Sequence, residues 1–127
     1  MAVPLHVTNM EQRATSSVPH ALQTVVGRIR KCLDPLGPKK VILFGSYAHG
    51  TPGEDSDIDL IVVLDKEAIP ATYKERMTNR LLVRRALDAL NRKYALDLLV
   101  YTIPEWKEFQ DLGSAFSREV TSRGIEL

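Results

Sequence analysis

Three short apolar runs, VILF (41–44), IDLIVVL (58–64) and ALDLLVY (95–101), alternate with segments whose apolar residues recur at helical spacing. Runs this short and this rich in Val, Ile and Leu have the length of buried strands rather than helices. Ahead of the first run, Leu22, Val25, Val26, Ile29 and Leu33 fall at i, i+3, i+4, i+7 and i+11. They predict a helix from about Val18, N-capped by Ser17 and stopped by Asp34-Pro35 and Gly37-Pro38. A second, long helix is expected over 72–93, with Met77, Leu81, Leu87, Leu90 and Tyr94 on or near its inner face. Thr102 and Glu105 form a capping-box pattern. It opens a helix carrying Phe109, Leu112, Phe116 and Val120, with Gly113 as a point of interruption. The order helix, strand, short helix, strand, helix, strand, helix specifies an α/β (α+β) domain, a small sheet covered by helices.

The remaining bounds are quickly drawn. A chain of 127 residues suits one domain. Residues 1–17 show no periodicity and are expected to be a flexible segment ahead of a single domain at 18–127. A net charge of +1 lacks the basic excess of a duplex clamp, so no direct nucleic-acid binding is expected. Cys32 stands alone, which excludes an intramolecular disulfide and a cysteine-rich metal site. An inert buried thiol is the favoured reading. No apolar run reaches the roughly 18 residues of a membrane span. MAVPLHVTNMEQR lacks the basic-then-apolar pattern of a signal peptide. No membrane association and a cytoplasmic location are expected.

Chemistry concentrates in FGSYAHGTPGEDSDIDL (44–60). Gly45 and Gly50 have the spacing of P-loop glycines, but Thr51 and Pro52 stand where a P-loop needs lysine and a hydroxyl residue. Counted from Asp55, an EF-hand loop needs glycine at its sixth place and glutamate at its twelfth; Leu60 and Lys66 stand there. A GxGxxG fingerprint is absent. What is left is a strand followed by Gly45 and Ser46. Glycine permits close backbone approach to an anion, and serine adds a donor, which suits a phosphate. On that pair alone, a plain glycine turn with a serine cap is the favoured reading.

The aspartates shift the balance. Alternate strand residues share a face, so Asp57 and Asp59 point the same way. Carboxylates at the front of an apolar run are costly unless their charge is offset, and two so close repel unless a cation lies between them. Such a pair suits Mg²⁺, which takes carboxylates plus substrate phosphates. Asp97 interrupts the third run as Asp59 interrupts the second. If the two strands are neighbours, three carboxylates converge beside a phosphate cradle, the parts of a two-metal phosphoryl-transfer site. Glu54 and Asp55 need no role beyond a solvated turn.

GSYAHGTPGEDSDIDLIVVL resembles the signature of the polymerase-β-type nucleotidyltransferase superfamily, a glycine-serine pair followed by Asp-x-Asp. The context is most similar to the minimal nucleotidyltransferases, the MNT or MntA-like proteins. Gly45, Ser46, Ala48, Gly50, Ser56, Asp57, Asp59 and Asp97 occupy pattern positions. The resemblance implies a polymerase-β-like fold with a small mixed sheet, and nucleotide binding through Gly45, Ser46 and Ser56. It also implies two Mg²⁺ ions (Mn²⁺ being the alternative) held by Asp57, Asp59 and Asp97, with Asp97 helping to activate the attacking hydroxyl. Minimal members typically pair with a HEPN-domain protein; several such pairs are toxin–antitoxin systems, in which the nucleotidyltransferase adds AMP from ATP to a tyrosine of the HEPN toxin. The implied function is therefore an adenylyltransferase antitoxin in a hetero-oligomer, using ATP or another nucleoside triphosphate. Larger relatives carry an acceptor-binding helical domain. After Tyr101 this chain has room for one helix or two short ones, so the acceptor platform is expected on a partner. Two alternatives stand beside this: a non-catalytic antitoxin that masks its partner, and transfer to a small hydroxyl compound.

Other residues carry plainer readings. His49 is read as a loop histidine, and His6 and His20 lack metal-ligand spacing. Lys39 and Lys40 are read as solvated. Arg76, Arg80, Arg84 and Arg85 mark a charged outer helix face, with a partner contact from Arg76 or Arg80 left open. Trp106 and Phe109 are read as core rather than interface.

Overall fold

The structure is a computed structural model that describes residues 22–49 and 57–127. Helical periodicity in the first segment is realised as α1 (Gln23–Leu33), which buries Val25, Val26, Ile29 and Leu33 along one stripe. The proposed cap at Ser17 and the segment 1–17 lie outside the described residues. A 3₁₀ turn, Asp34–Leu36, ends the helix at the proline, as expected. Cys32, on α1, is half-buried rather than fully buried.

The apolar runs become strands β1 (Lys40–Phe44), β2 (Ile58–Val63) and β3 (Leu96–Tyr101), within a residue or two of their expected limits. The four-residue α2 (Gly45–Ala48) follows β1 directly. β2 pairs antiparallel with β1 and parallel with β3, so the sheet is mixed. The near-continuous burial of β2 reflects its central place with both faces covered.

The expected helix over 72–93 is two helices, α3 (Tyr73–Ala86) and α4 (Asp88–Asn91), with a break at Leu87. The Thr72 side chain caps α3 by accepting from the Glu75 N–H at 3.2 Å, and Glu75 returns an acceptor to the Ala71 N–H at 2.7 Å. The buried line runs through Val83, Leu87 and Leu90. Met77 and Tyr94 are half-buried, and Leu81 is 43% exposed rather than inward-facing. Leu81 and Val83 are two residues apart, about 200° around a helix, so both cannot face the core.

The capping box at Thr102 and Glu105 opens α5 (Ile103–Asp111), with Glu105 accepting from the Thr102 N–H at 2.9 Å. Gly113, at φ +61°, breaks the chain before α6 (Ala115–Arg123), whose cap Ser114 accepts from the Ser117 N–H at 3.0 Å. The break turns Leu112 outward, 71% exposed, and leaves Phe116 44% exposed, where a continuous helix would have aligned both with Phe109 and Val120. A strand that the sequence pattern does not show, β4 (Ile125–Glu126), pairs antiparallel with β1 and completes the order β3-β2-β1-β4.

Two apolar layers sandwich the sheet. On one face Val41, Leu43, Leu60, Val62 and Leu98 pack with α1, Val83, Leu87 and Leu90. On the other, Ile42, Ile61 and Val63 pack with Trp106 and Phe109 of α5 and Val120 of α6. Trp106 and Phe109 are therefore core. Arg76, Arg80, Arg84 and Arg85 are exposed, and Lys40 pairs with Glu126 at 2.9 Å. Among the described residues, no helix is long and apolar enough to cross a membrane.

Candidate active site

β1 ends where β2 and β3 begin, so three chain segments meet at one end of the sheet. The register places Phe44 opposite Asp59, and Asp59 opposite Asp97. Directly paired positions project to the same face, so these three side chains form one row across the sheet. It is the face that α5 and α6 cover further along. At the row itself cover is thin: Asp59 is half-buried and Asp97 exposed.

The carboxylates feel one another. Partial burial, then the charges of Asp97 and Asp57, then a side-chain hydrogen bond with Asp97, raise the Asp59 carboxyl above its ordinary value. Two carboxyl groups in hydrogen-bond contact must share a proton or take a cation. Asp57, exposed just ahead of β2, adds a third negative charge within reach. That donor set, all oxygen and all acidic, fits Mg²⁺ or Mn²⁺. Among the described residues, no group of three or more His, Cys, Asp or Glu side chains forms a preassembled metal cage. Among those residues, the Asp59–Asp97 pair with Asp57 at its rim is the most that is brought together.

Gly45 closes the row from the β1 side. Its φ is +72°, and a Cβ placed on it would collide with Asp59 Oδ2. Glycine is required there on both counts: the left-handed backbone and the carboxylate lying against its Cα. Ser46 is the next residue of the α2 turn and is half-buried, while Tyr47 turns into the core. The turn closes through the His49 N–H, which donates to Gly45 O at 3.1 Å. His49 Nε2 lies 3.7 Å from Glu119 of α6. Gly50 and Ser56 lie outside the described residues.

A glycine-started turn beside paired strand aspartates has its counterpart in sequence: the profile of the nucleotidyltransferase domain family matches residues 26–120. The chain belongs to the nucleotidyltransferase domain family. Within it, a Methanocaldococcus jannaschii protein provisionally named a protein adenylyltransferase, MJ0604, is 63% identical to this nucleotidyltransferase over 27 residues, 21% of the chain. Caffeine-induced protein 16 of Schizosaccharomyces pombe is 37% identical over 54 residues, 42% of the chain. The matches cover 27% and 4% of those two proteins, so the chain spans less than a third of either. A crystal structure of a toxin–antitoxin with AMP-PNP contains a chain of similar fold. Its TM-score is 0.51 at 24% identity, over 79% of this chain and 69% of that one.

One neighbour of the carboxylate row has no signature in sequence. Phe116 meets Phe44 edge-on, with ring centroids 5.6 Å apart, and Phe109 meets Phe116 at 5.7 Å. Phe44 lies opposite Asp59 and shares its face, so the half-exposed ring of Phe116 packs against the Phe44 end of the row. Phe44 is adjacent to the glycine-serine pair and could have drawn notice; Phe116 is brought in by tertiary packing alone.

Proposed function

We propose that this nucleotidyltransferase transfers AMP from ATP to a tyrosine hydroxyl of a HEPN-domain toxin, in the cytoplasm, and so acts as the antitoxin of the pair. The observation that carries the reading is the carboxylate row: Asp59 and Asp97 in register across β2 and β3, with Gly45 against Asp59. A binding module has no use for acidic groups held at such electrostatic cost. The segment shared with a protein provisionally named an adenylyltransferase and the fold shared with a toxin–antitoxin chain support the choice of donor and acceptor.

Gly45 and Ser46 hold the triphosphate, with Ser56 contributing to the same grip. Asp57, Asp59 and Asp97 hold divalent cations, which when bound neutralise charge developing on the transferred phosphoryl group. Asp97, at the outer end of the row, accepts the proton of the tyrosine hydroxyl. The tyrosine oxygen bonds to the α-phosphorus, the α–β phosphoanhydride bond breaks, and pyrophosphate leaves. Asp59, deepest of the three, keeps the row in place because Gly45 and Asp97 flank it on both sides.

The test is to mix the full chain with the HEPN protein of the adjacent reading frame, MgCl₂ and ATP, then weigh the partner by mass spectrometry. A gain of one or more AMP units is expected. No gain with any of the four nucleoside triphosphates would overturn the proposal.

A further inference from the structure

Beyond the aspartate row, the outer side of β3 carries a groove of about 330 Å³. Four consecutive residues, Leu98, Leu99, Val100 and Tyr101, border it. Successive strand side chains point to opposite faces, so only the backbone edge of a strand presents four in a row. The hydrogen bonding agrees. Ile58 N–H donates to Ala95 O at 2.9 Å and Leu64 N–H to Tyr101 O at 2.8 Å, so the odd-numbered residues of the strand bond β2. By alternation, the N–H and C=O groups of Leu98 and Val100 point away from β2; Leu98 is buried, and half-buried Val100 presents its groups to the groove. β3 is the terminal strand of the sheet formed by the described residues.

The opposite wall is α3, and its chemistry selects an occupant. Arg76 and Arg80 line the groove, both exposed, and neither is ion-paired among the described residues. Met77 and the 76%-exposed Tyr73 supply apolar contact beside them. Glu105, the acidic group of the groove, is turned to Thr102, whose N–H and hydroxyl it accepts at 2.9 and 3.1 Å. Among the described residues, a strand edge without a partner faces two guanidinium groups without ion pairs, which suits an extended acidic segment. Backbone pairing would supply affinity and the arginines register. The strip also has a direction, because Asp97 is the residue next to Leu98. Triphosphate binding at Gly45 lies on the β1 side of the row, so an acceptor approaching in line comes from the β3 side.

We propose that the outer edge of β3, with Arg76 and Arg80, is the docking strip for an extended acidic segment of the partner protein, which pairs with the Val100 backbone and brings its hydroxyl to Asp97. Delivery to Asp97 rests on the adenylyl-transfer reading; the docking does not.

The test uses the full chain without ATP or Mg²⁺, so its result is independent of whether AMP is transferred. The probe is a fluorescent peptide of alternating glutamate and valine with one central tyrosine. Its lysine-for-glutamate counterpart and a single-stranded oligoadenylate serve as controls. The acidic peptide should bind, should protect the Val100 amide from hydrogen exchange by NMR, and should lose about tenfold in affinity in the Arg76→Glu/Arg80→Glu variant. Both substitutions sit on an exposed helix face, and an unchanged melting temperature confirms folding. Equal binding of the basic peptide would overturn the proposal. So would protection by the oligoadenylate alone, or a Val100 amide already protected in the free chain.

Discussion

Asp59 and Asp97 stand directly opposite each other on parallel strands, close enough to share a hydrogen bond. Placing like charges in register costs stability, a cost that a bound cation would offset. Everything else at this end of the sheet follows from that pair: Gly45 is glycine because Asp59 leans against it, and Phe44 completes the row.

Asp59→Asn or Asp97→Asn should lower AMP transfer by on the order of 10³-fold, the loss expected when several kcal/mol of charge stabilisation disappears. Partner binding, measured by size-exclusion chromatography, should survive. If the Asp57→Asn/Asp59→Asn double variant still silences the toxin completely, masking rather than chemistry carries the antitoxin activity.

The same pair governs metal-free stability. Asp59 titrates above its ordinary value in the folded state, so between the unfolded and folded values the native chain binds more protons than the unfolded one. Its contribution is therefore favourable at low pH and is lost as pH rises through the folded value. Asp59→Asn removes the penalty. Its melting temperature in EDTA should exceed that of the unaltered chain at neutral pH by a few degrees, with the gap closing toward pH 4, near the ordinary carboxylate value. Added MgCl₂ should raise the melting temperature of the unaltered chain and leave Asp59→Asn unmoved. A variant less stable than the parent in EDTA would show that Asp59 is structural.

Gly45→Ala tests the close approach. The left-handed backbone costs about 1–3 kcal/mol for a residue with a side chain, and the new methyl displaces the Asp59 carboxylate. Denaturant unfolding should show that loss, and fluorescent-ATP titration should show nucleotide binding abolished. A variant that binds ATP as the parent does would contradict the assigned geometry.

Two α3 residues separate core from surface. Val83→Ala, at a fully buried position, should cost about 2 kcal/mol, whereas Leu81→Ala should stay within about 0.5 kcal/mol. Urea unfolding of the two variants decides it, and the reverse ranking would overturn the packing described for α3.

How much of this was legible in the sequence depends on whether the signal is local. The strands announced themselves as apolar runs, the aspartates as intrusions into them, and Thr102–Glu105 as a reciprocal cap. Each is carried by neighbours in sequence. The helical run over 72–93 and its inner Leu87 and Leu90 were legible, but Leu81 was misplaced inward and Val83 missed, because leucines look alike in composition while Val83 is the smaller residue on the buried line. β4 left no trace since two residues have no period; its pairing with β1 is set by tertiary contact. Phe116 and the β3 groove were equally hidden, being products of chain segments that meet only in the fold.

The most direct measurement of the central claim uses two preparations of ATP, radiolabelled on the α or on the γ phosphate, with the full chain, MgCl₂ and the HEPN protein. Label should pass to the partner from the α position only, and should vanish when the acceptor tyrosine is replaced by phenylalanine. Transfer of γ label, or no transfer of α label, would contradict adenylyl transfer by the Asp57, Asp59 and Asp97 site.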